Sequence, residues 1–240
     1  MNNRFDLIIF DWDGTLIDSI DWIVHCLQSA GEQCGCAIPE PQAAKDVIGL
    51  SIRNACSTLF PEADQPTLTD LTACYQQTYL SRQIGREDLF PGVYDMLVEL
   101  KQTGYQLAVA TGKTRTGLQE ALKATDTEDL FCITRCSDET ASKPDPRMLH
   151  EIMQHTNAAN ERSLMVGDST HDLQMAMNAQ ISSIAVSCGA HPEDILQQYR
   201  PLLCLQQPAE LLNIIREVNR HGQSEQSRRY KRTRLGAGGH

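Results

Sequence analysis

Five short runs of this chain, Phe5 to Phe10, Gln106 to Ala110, Phe131 to Thr134, Ser163 to Val166 and Ser183 to Val186, are apolar on both sides and end near a turn or helix signal. A strand with one face in water alternates polar and apolar residues, so continuously apolar strands belong in a parallel sheet covered on both faces. Helical patterns separate them: Val93 to Thr103 behind Pro91 and Gly92, Thr114 to Ala124, Pro146 to His155, Asp172 to Ala179, and Ala209 to Arg220 behind Pro208. Strand and helix alternate, which predicts an α/β fold built on a Rossmann-like, doubly wound parallel sheet.

Residues 18–87 break the alternation, with no convincing strand and three helical stripes. Ile20, Ile23, Val24, Leu27 and Ala30 form one, Ile52, Ala55 and Leu59 a second after the break at Gly49, and Leu68, Leu71, Tyr75 and Tyr79 a third. About 70 residues are too many for a loop in a compact domain. The expected organisation is a catalytic core of residues 1–17 and 88–220, an inserted helical domain at 18–87, and a tail at 221–240.

Charge narrows the function. The 240 residues carry 31 acidic against 21 basic side chains, a net charge of −10, which argues against a protein that grips nucleic acid. Five of the basic residues lie in the Gln-, Ser- and Gly-containing stretch 221–240, read as a flexible basic tail. The longest aliphatic or aromatic run near the N-terminus, Leu7 to Phe10, is bracketed by Asp6 and Asp11, so neither a membrane span nor a signal peptide is expected, and the expected location is cytoplasmic. Nine cysteines without paired spacing are expected to be free thiols, and Cys34 and Cys36, with His25 upstream, lack the second ligand pair a zinc site needs.

Ligands of open α/β sheets bind at the carboxyl ends of the strands. Four such ends carry polar residues: Asp11-Trp12-Asp13-Gly14-Thr15, Thr111-Gly112-Lys113, a loop with Ser142-Lys143-Pro144, and Gly167-Asp168-Ser169-Thr170-His171-Asp172. Asp11 and Asp13 stand two residues apart at the end of an apolar strand, and Gly14 permits the chain to bend there. Asp168 and Asp172 stand one helical turn apart and can face one crevice, where two acids suit a hard cation such as Mg²⁺. Lys143 sits in a proline-stiffened loop, and a cation there offsets the repulsion of the gathered carboxylates. Thr111 offers a hydroxyl, and Gly112 lets backbone N–H groups approach an anion.

Together these four segments resemble the motifs of the haloacid dehalogenase superfamily, in the same order, over nearly all of residues 5–215. The helical insertion resembles the α-helical cap of its phosphoglycolate-phosphatase-like branch, although Thr111-Gly112-Lys113 departs from the Thr-Asn-Lys common there. The resemblance implies a Mg²⁺-dependent phosphatase of a small phosphorylated metabolite, with Asp11 as nucleophile forming an aspartyl-phosphate and Asp13 as acid and base. It implies that Mg²⁺ is held by the Asp11 carboxylate, the Asp13 carbonyl and Asp168, with Asp172 behind them, and that Lys143 and Thr111 hold the phosphoryl oxygens. Dehalogenation needs no acid for its leaving halide, so Asp13 argues against it. A sugar phosphomutase and a non-catalytic phosphometabolite-binding regulator are the alternatives. Arg53 in the cap and Lys113 are candidate substrate contacts, Leu89 to Gly92 a hinge, and Trp12, His25 and His171 structural or flanking residues.

Overall fold

The computed structural model describes residues 4–217. A six-stranded sheet forms the centre, built from β1 (Leu7–Phe10), β2 (Gln106–Thr111), β3 (Ile133–Cys136), β4 (Ser163–Gly167), β5 (Ser182–Val186) and β6 (Cys204–Leu205). Its order is β3-β2-β1-β4-β5-β6 and every pairing is parallel. β1 lies in the middle, with Ile9 beside both Ala108 and Met165. All four β1 residues are buried, as an apolar run with no polar alternation requires.

Side chains alternate between the two faces and create two separate cores. Ile8, Phe10, Leu107, Val109, Leu164 and Val166 point to one face, where they meet Val93, Met96 and Leu97 of α5 (Val93–Gln102) and Leu118 and Leu122 of α6 (Arg115–Ala124). Leu211 and Ile215, from a helical turn over 211–217, complete that layer. Leu7, Ile9, Ala108, Ala110 and Met165 face the other way onto Met148, Leu149 and Ile152 of α7 (Arg147–Thr156) and Met175 and Ala176 of α8 (Thr170–Asn178). The short α9 (Glu193–Leu196) follows β5 and packs Leu196 on Leu173 and Ala185.

Between β1 and β2 stand α1 (Ile20–Gln33), α2 (Pro41–Asp46), α3 (Ile52–Leu59) and α4 (Gln65–Leu80). Their apolar faces close on one another, with Ile23, Val24, Leu27, Ala44 and Tyr79 in one cluster and Ala30, Cys56, Phe60, Leu68 and Leu71 in the next. The chain leaves and re-enters the sheet layer at one place. Ile17 bridges Leu89 in antiparallel fashion, Asp18 N–H donates to the Asp88 carbonyl at 2.8 Å, and Phe90 N–H donates to the Leu16 carbonyl at 3.0 Å. The sequence missed β6, whose two residues are too few to carry a pattern, and α9. Among the described residues no helix is long and apolar enough to cross a membrane, and the described cysteines are free thiols. The basic tail at 221–240 and the end of the last helical pattern lie outside the described residues.

Ile9 is wholly buried at the middle of the sheet. Ile9→Ala is expected to cost about 2–5 kcal/mol from lost burial and the cavity left behind. A lowered urea midpoint with an unchanged slope is the expected reading.

Candidate active site

β1 and β4 are neighbours that the chain reaches by leaving the sheet centre in opposite directions, so a crevice opens beyond their carboxyl ends. Asp11 is the first residue past β1, and its N–H still donates to the Val166 carbonyl at 2.9 Å, which fixes it against β4. Asp168 is the first residue past β4. Its Oδ1 accepts from Thr15 Oγ1 at 2.9 Å and its Oδ2 from the Ala190 N–H at 2.7 Å. Asp172 is the third residue of α8 in a capping box: Ser169 Oγ accepts from its N–H, while its Oδ2 accepts from Ser169 N–H at 3.1 Å and Ser169 Oγ at 2.6 Å. Lys143, from the loop before α7, lies between two of these acids, 2.5 Å from Asp11 Oδ1 and 2.7 Å from Asp172 Oδ1.

All four groups are buried, so their charges interact in a medium far less screening than water. Burial, reinforced by Asp172, pushes the Asp11 carboxyl well above the usual carboxylate range despite the opposing pull of Lys143. Burial and Asp172 push Asp168 up to about 7, against the Ala190 and Thr15 hydrogen bonds. For Lys143 burial pulls downward, but Asp11 and Asp172 outweigh it and hold the ammonium above its ordinary value. One cation thus faces three carboxylates. Carboxylate oxygens of Asp11, Asp168 and Asp172 lie within 4.8 Å of one another, and Asp11 Oδ2 is buried without a hydrogen-bond donor. An all-oxygen set with an undonated oxygen fits a hard divalent cation.

Asp13 turns away from this cluster: residues two apart in a regular strand share a face, but the chain leaves the extended path after β1. Gly14 makes the bend at φ 74°, where a side chain would also run into Asp168. Asp13 Oδ1 accepts from Ser19 Oγ at 2.8 Å and Oδ2 lies 3.1 Å from Lys113 Nζ. Lys113 in turn donates to the Tyr79 hydroxyl at 2.7 Å. For this lysine too burial pulls downward, and Asp13 and Tyr79 more than reverse it. Thr111 is buried at the end of β2, its Oγ1 accepting from the Lys113 N–H at 3.2 Å. Gly112 owes its lack of a side chain to the helical insertion, since a Cβ there would strike the Gly49 and Leu50 carbonyl oxygens.

Asp11, Asp13, Thr111, Gly112 and Lys113 open into a cavity of about 440 Å³ whose other wall comes from α1, α3, α4 and the 47–50 segment. Polar contacts join the helical insertion to the sheet layer. Ser51 N–H donates to Ser142 Oγ at 2.8 Å, His171 Nε2 meets the Asp46 carbonyl at 2.8 Å, and Lys113 reaches Tyr79. Arg53 corrects the sequence expectation of a substrate contact: Ile52 and Ala55 turn toward the cavity, so the next position faces outward, where Arg53 donates to Gln65 at 2.8 Å. His25 stacks on Trp22, and Trp12 is buried in the sheet core, edge-on to Phe131. Thr15, Ser19, Tyr79 and Ala190 also belong to the site, although the sequence assigns them no role in it. Thr15 follows the Asp-Gly step directly and Tyr79 lies on the predicted stripe, but nothing local marks an alanine as an N–H donor.

The profile of the haloacid dehalogenase-like hydrolases matches residues 8–186. A pyrophosphatase, PpaX of Bacillus cereus, is 28% identical over 225 residues, covering 90% of this chain and 99% of its own. The probable phosphatase IndB of Dickeya dadantii is 33% identical over 200 residues, covering 81% and 86%. The crystal structure of a hydrolase from Pseudomonas syringae superposes with a TM-score of 0.80 at 22% identity, over 88% of this chain and 98% of that one, a likeness of fold.

The raised Asp168 carboxyl makes stability depend on pH. From its ordinary 3.8 to its folded value of about 7 the native state holds a proton that the unfolded state has released, so stability falls as pH rises through that window and stays low above it. In the absence of divalent cation, Asp168→Asn is expected to gain on the wild type between about pH 5 and about pH 7.5, read as the difference of urea midpoints. Asparagine keeps one accepting oxygen, so the hydrogen bond it loses is a constant offset, and an equal difference at both pH values would refute the assignment.

Proposed function

This chain belongs to the haloacid dehalogenase-like hydrolase family, and from that premise we propose that it is a Mg²⁺-dependent phosphatase that hydrolyses a phosphomonoester of a small metabolite through an aspartyl-phosphate. The observation that carries the proposal is the Asp11 carboxylate, buried at the end of the central strand, against Lys143 on one oxygen and undonated on the other, and open to the cavity. The helical insertion at 18–87 is its cap, and residues 1–17 and 88–220 its catalytic core.

In this reading Asp11 attacks phosphorus, the bond to the ester oxygen breaks, and Asp13 donates the proton the leaving alcohol needs. Asp13 then takes a proton from water as that water attacks the aspartyl-phosphate, which releases phosphate and restores both carboxyl groups. Ser19 and Lys113 hold Asp13 in place for both halves. Lys143, Thr111 and the Gly112 backbone bind the phosphoryl oxygens, on which negative charge lies in the transition state. The Asp11 and Asp168 carboxylates and the Asp13 carbonyl would hold Mg²⁺, with Asp172 behind them orienting Lys143. When bound, the cation neutralises charge on the phosphoryl group and the gathered acids. Contacts between cap and core enclose the reaction and limit its access to bulk water.

Phosphate release from a panel of phosphorylated metabolites, with Mg²⁺ and with EDTA, tests the proposal. Release is expected only with the metal, and Asp11→Asn is expected to lower it by at least about a thousandfold while leaving the protein folded. Accumulation of an isomerised phosphate ester in place of free phosphate would identify a mutase. Binding of esters without turnover would identify a regulator.

A further inference from the structure

The cavity is ionic at its floor and apolar at its roof. Ile23, Leu27, Val47 and Ile52 line it together with Tyr75 and Tyr79, whose rings stack 5.8 Å apart at 24°. Among the described residues that line it, Lys113 is the one cation, and Asp13 and the Tyr79 hydroxyl already engage it. Asp11, Asp13, Glu120 and Asp138 line the same space. Arg53, the obvious candidate for a second anion contact, is bound to Gln65 on the outside.

We propose, on the basis of the phosphatase reading above, that the leaving group is a neutral alcohol with an apolar body, and that esters whose leaving group carries a second anionic group, phosphoglycolate and pyrophosphate included, are poor substrates. A carboxylate or second phosphate brought under this roof sheds its water and finds no free cation to replace it. It also stands near acids of its own sign. A ring or aliphatic body gains from the same walls by removing apolar surface from water. Polar recognition is present in neutral form: the Tyr75 hydroxyl has no hydrogen-bond partner among the described residues and, with the neighbouring Gln76 amide, lines the cavity. Both suit a hydroxyl or carbonyl of the leaving alcohol. The volume of about 440 Å³ falls within the roughly 300–1,000 Å³ of pockets that enclose drug-sized ligands. A two-carbon acid leaves most of it unfilled.

The test is phosphate release by the full chain with Mg²⁺ from benzyl phosphate and from the same ester bearing a para-carboxylate, a pair that shares its reacting bond. Phosphoglycolate and pyrophosphate are run beside them, and p-nitrophenyl phosphate serves as an activated reference. The expected result is a kcat/KM for benzyl phosphate at least about tenfold above that of the carboxylate ester. Ile52→Arg, which places a cation on the roof, is expected to narrow that ratio by lowering KM for the carboxylate ester. Equal or faster turnover of the carboxylate ester, phosphoglycolate or pyrophosphate by the wild-type protein would overturn the inference while leaving the phosphatase reading intact, and an unchanged ratio in a folded Ile52→Arg would overturn the role given to the roof. No release from any compound, p-nitrophenyl phosphate included, would overturn the phosphatase reading and this inference with it.

Discussion

Burying three carboxylates around one ammonium is the constraint from which the rest of this structure follows. Lys143 touches Asp11 and Asp172, Asp168 lies beside them, and all four are withdrawn from water. Donors fixed in advance hold Asp168, through Thr15 and Ala190, and Asp172, through Ser169, while Asp11 Oδ2 is left undonated. The parallel sheet supplies that rigidity: Asp11 and Asp168 are each the first residue beyond neighbouring strands, and their separation is set by the strand register. At the start of α8 the Ser169 N–H and hydroxyl donate to Asp172, where the helix dipole favours negative charge. Even so, one positive charge does not balance three negative ones, and the Asp11 and Asp168 carboxyls are raised, first by burial and then by the charge of Asp172. A divalent cation is the simplest remedy the oxygen set admits.

The second pair, Asp13 and Lys113, belongs half to the sheet layer and half to the helices above it. Asp13 rests on Ser19, at the entrance to α1, and Lys113 leans on Tyr79, near the end of α4. Movement of those helices relative to the sheet would therefore act on Asp13 through two contacts. The antiparallel bridge between Ile17 and Leu89, where the two connections run side by side, is the natural place for such movement to be absorbed.

How far the sequence reveals all this depends on how local each signal is. The first five strands follow from continuous apolar runs such as Leu7–Phe10, and their parallel pairing from the helices that alternate with them, whereas their order in the sheet is seen only in the structure. Asp11, Asp13 and Asp168 are legible because charged residues at the ends of buried strands have no ordinary structural reason to be there, and Lys143 because gathered acids call for a cation and its loop is stiffened by proline. The outward turn of Arg53 depends on the rotation of α3 about its axis, which its short stripe of Ile52, Ala55 and Leu59 constrains only loosely. At Gly112 the sequence suggests room for an anion, and the structure shows a tighter demand, the backbone of residues 49 and 50 pressed against it. Ala190 acts through an N–H that every residue but proline possesses, so its role exists only in three dimensions.

Floor and roof also differ in what they demand of residue identity. At the floor, removing one member of the charge cluster leaves its partners buried and unpaired, a loss on the order of 3–5 kcal/mol that few substitutions offset. At the roof, exchanging one apolar residue for another of similar volume costs less than about 1.5 kcal/mol while reshaping the space a leaving group must fill. Ile23, Leu27, Val47 and Ile52 can therefore vary among proteins that share the fold and the chemistry of Asp11. A likeness that covers most of the chain speaks for the floor, where removing one charge leaves its partners unpaired. It speaks weakly for the roof, and that is why the leaving group has to be argued from the polarity of these particular walls.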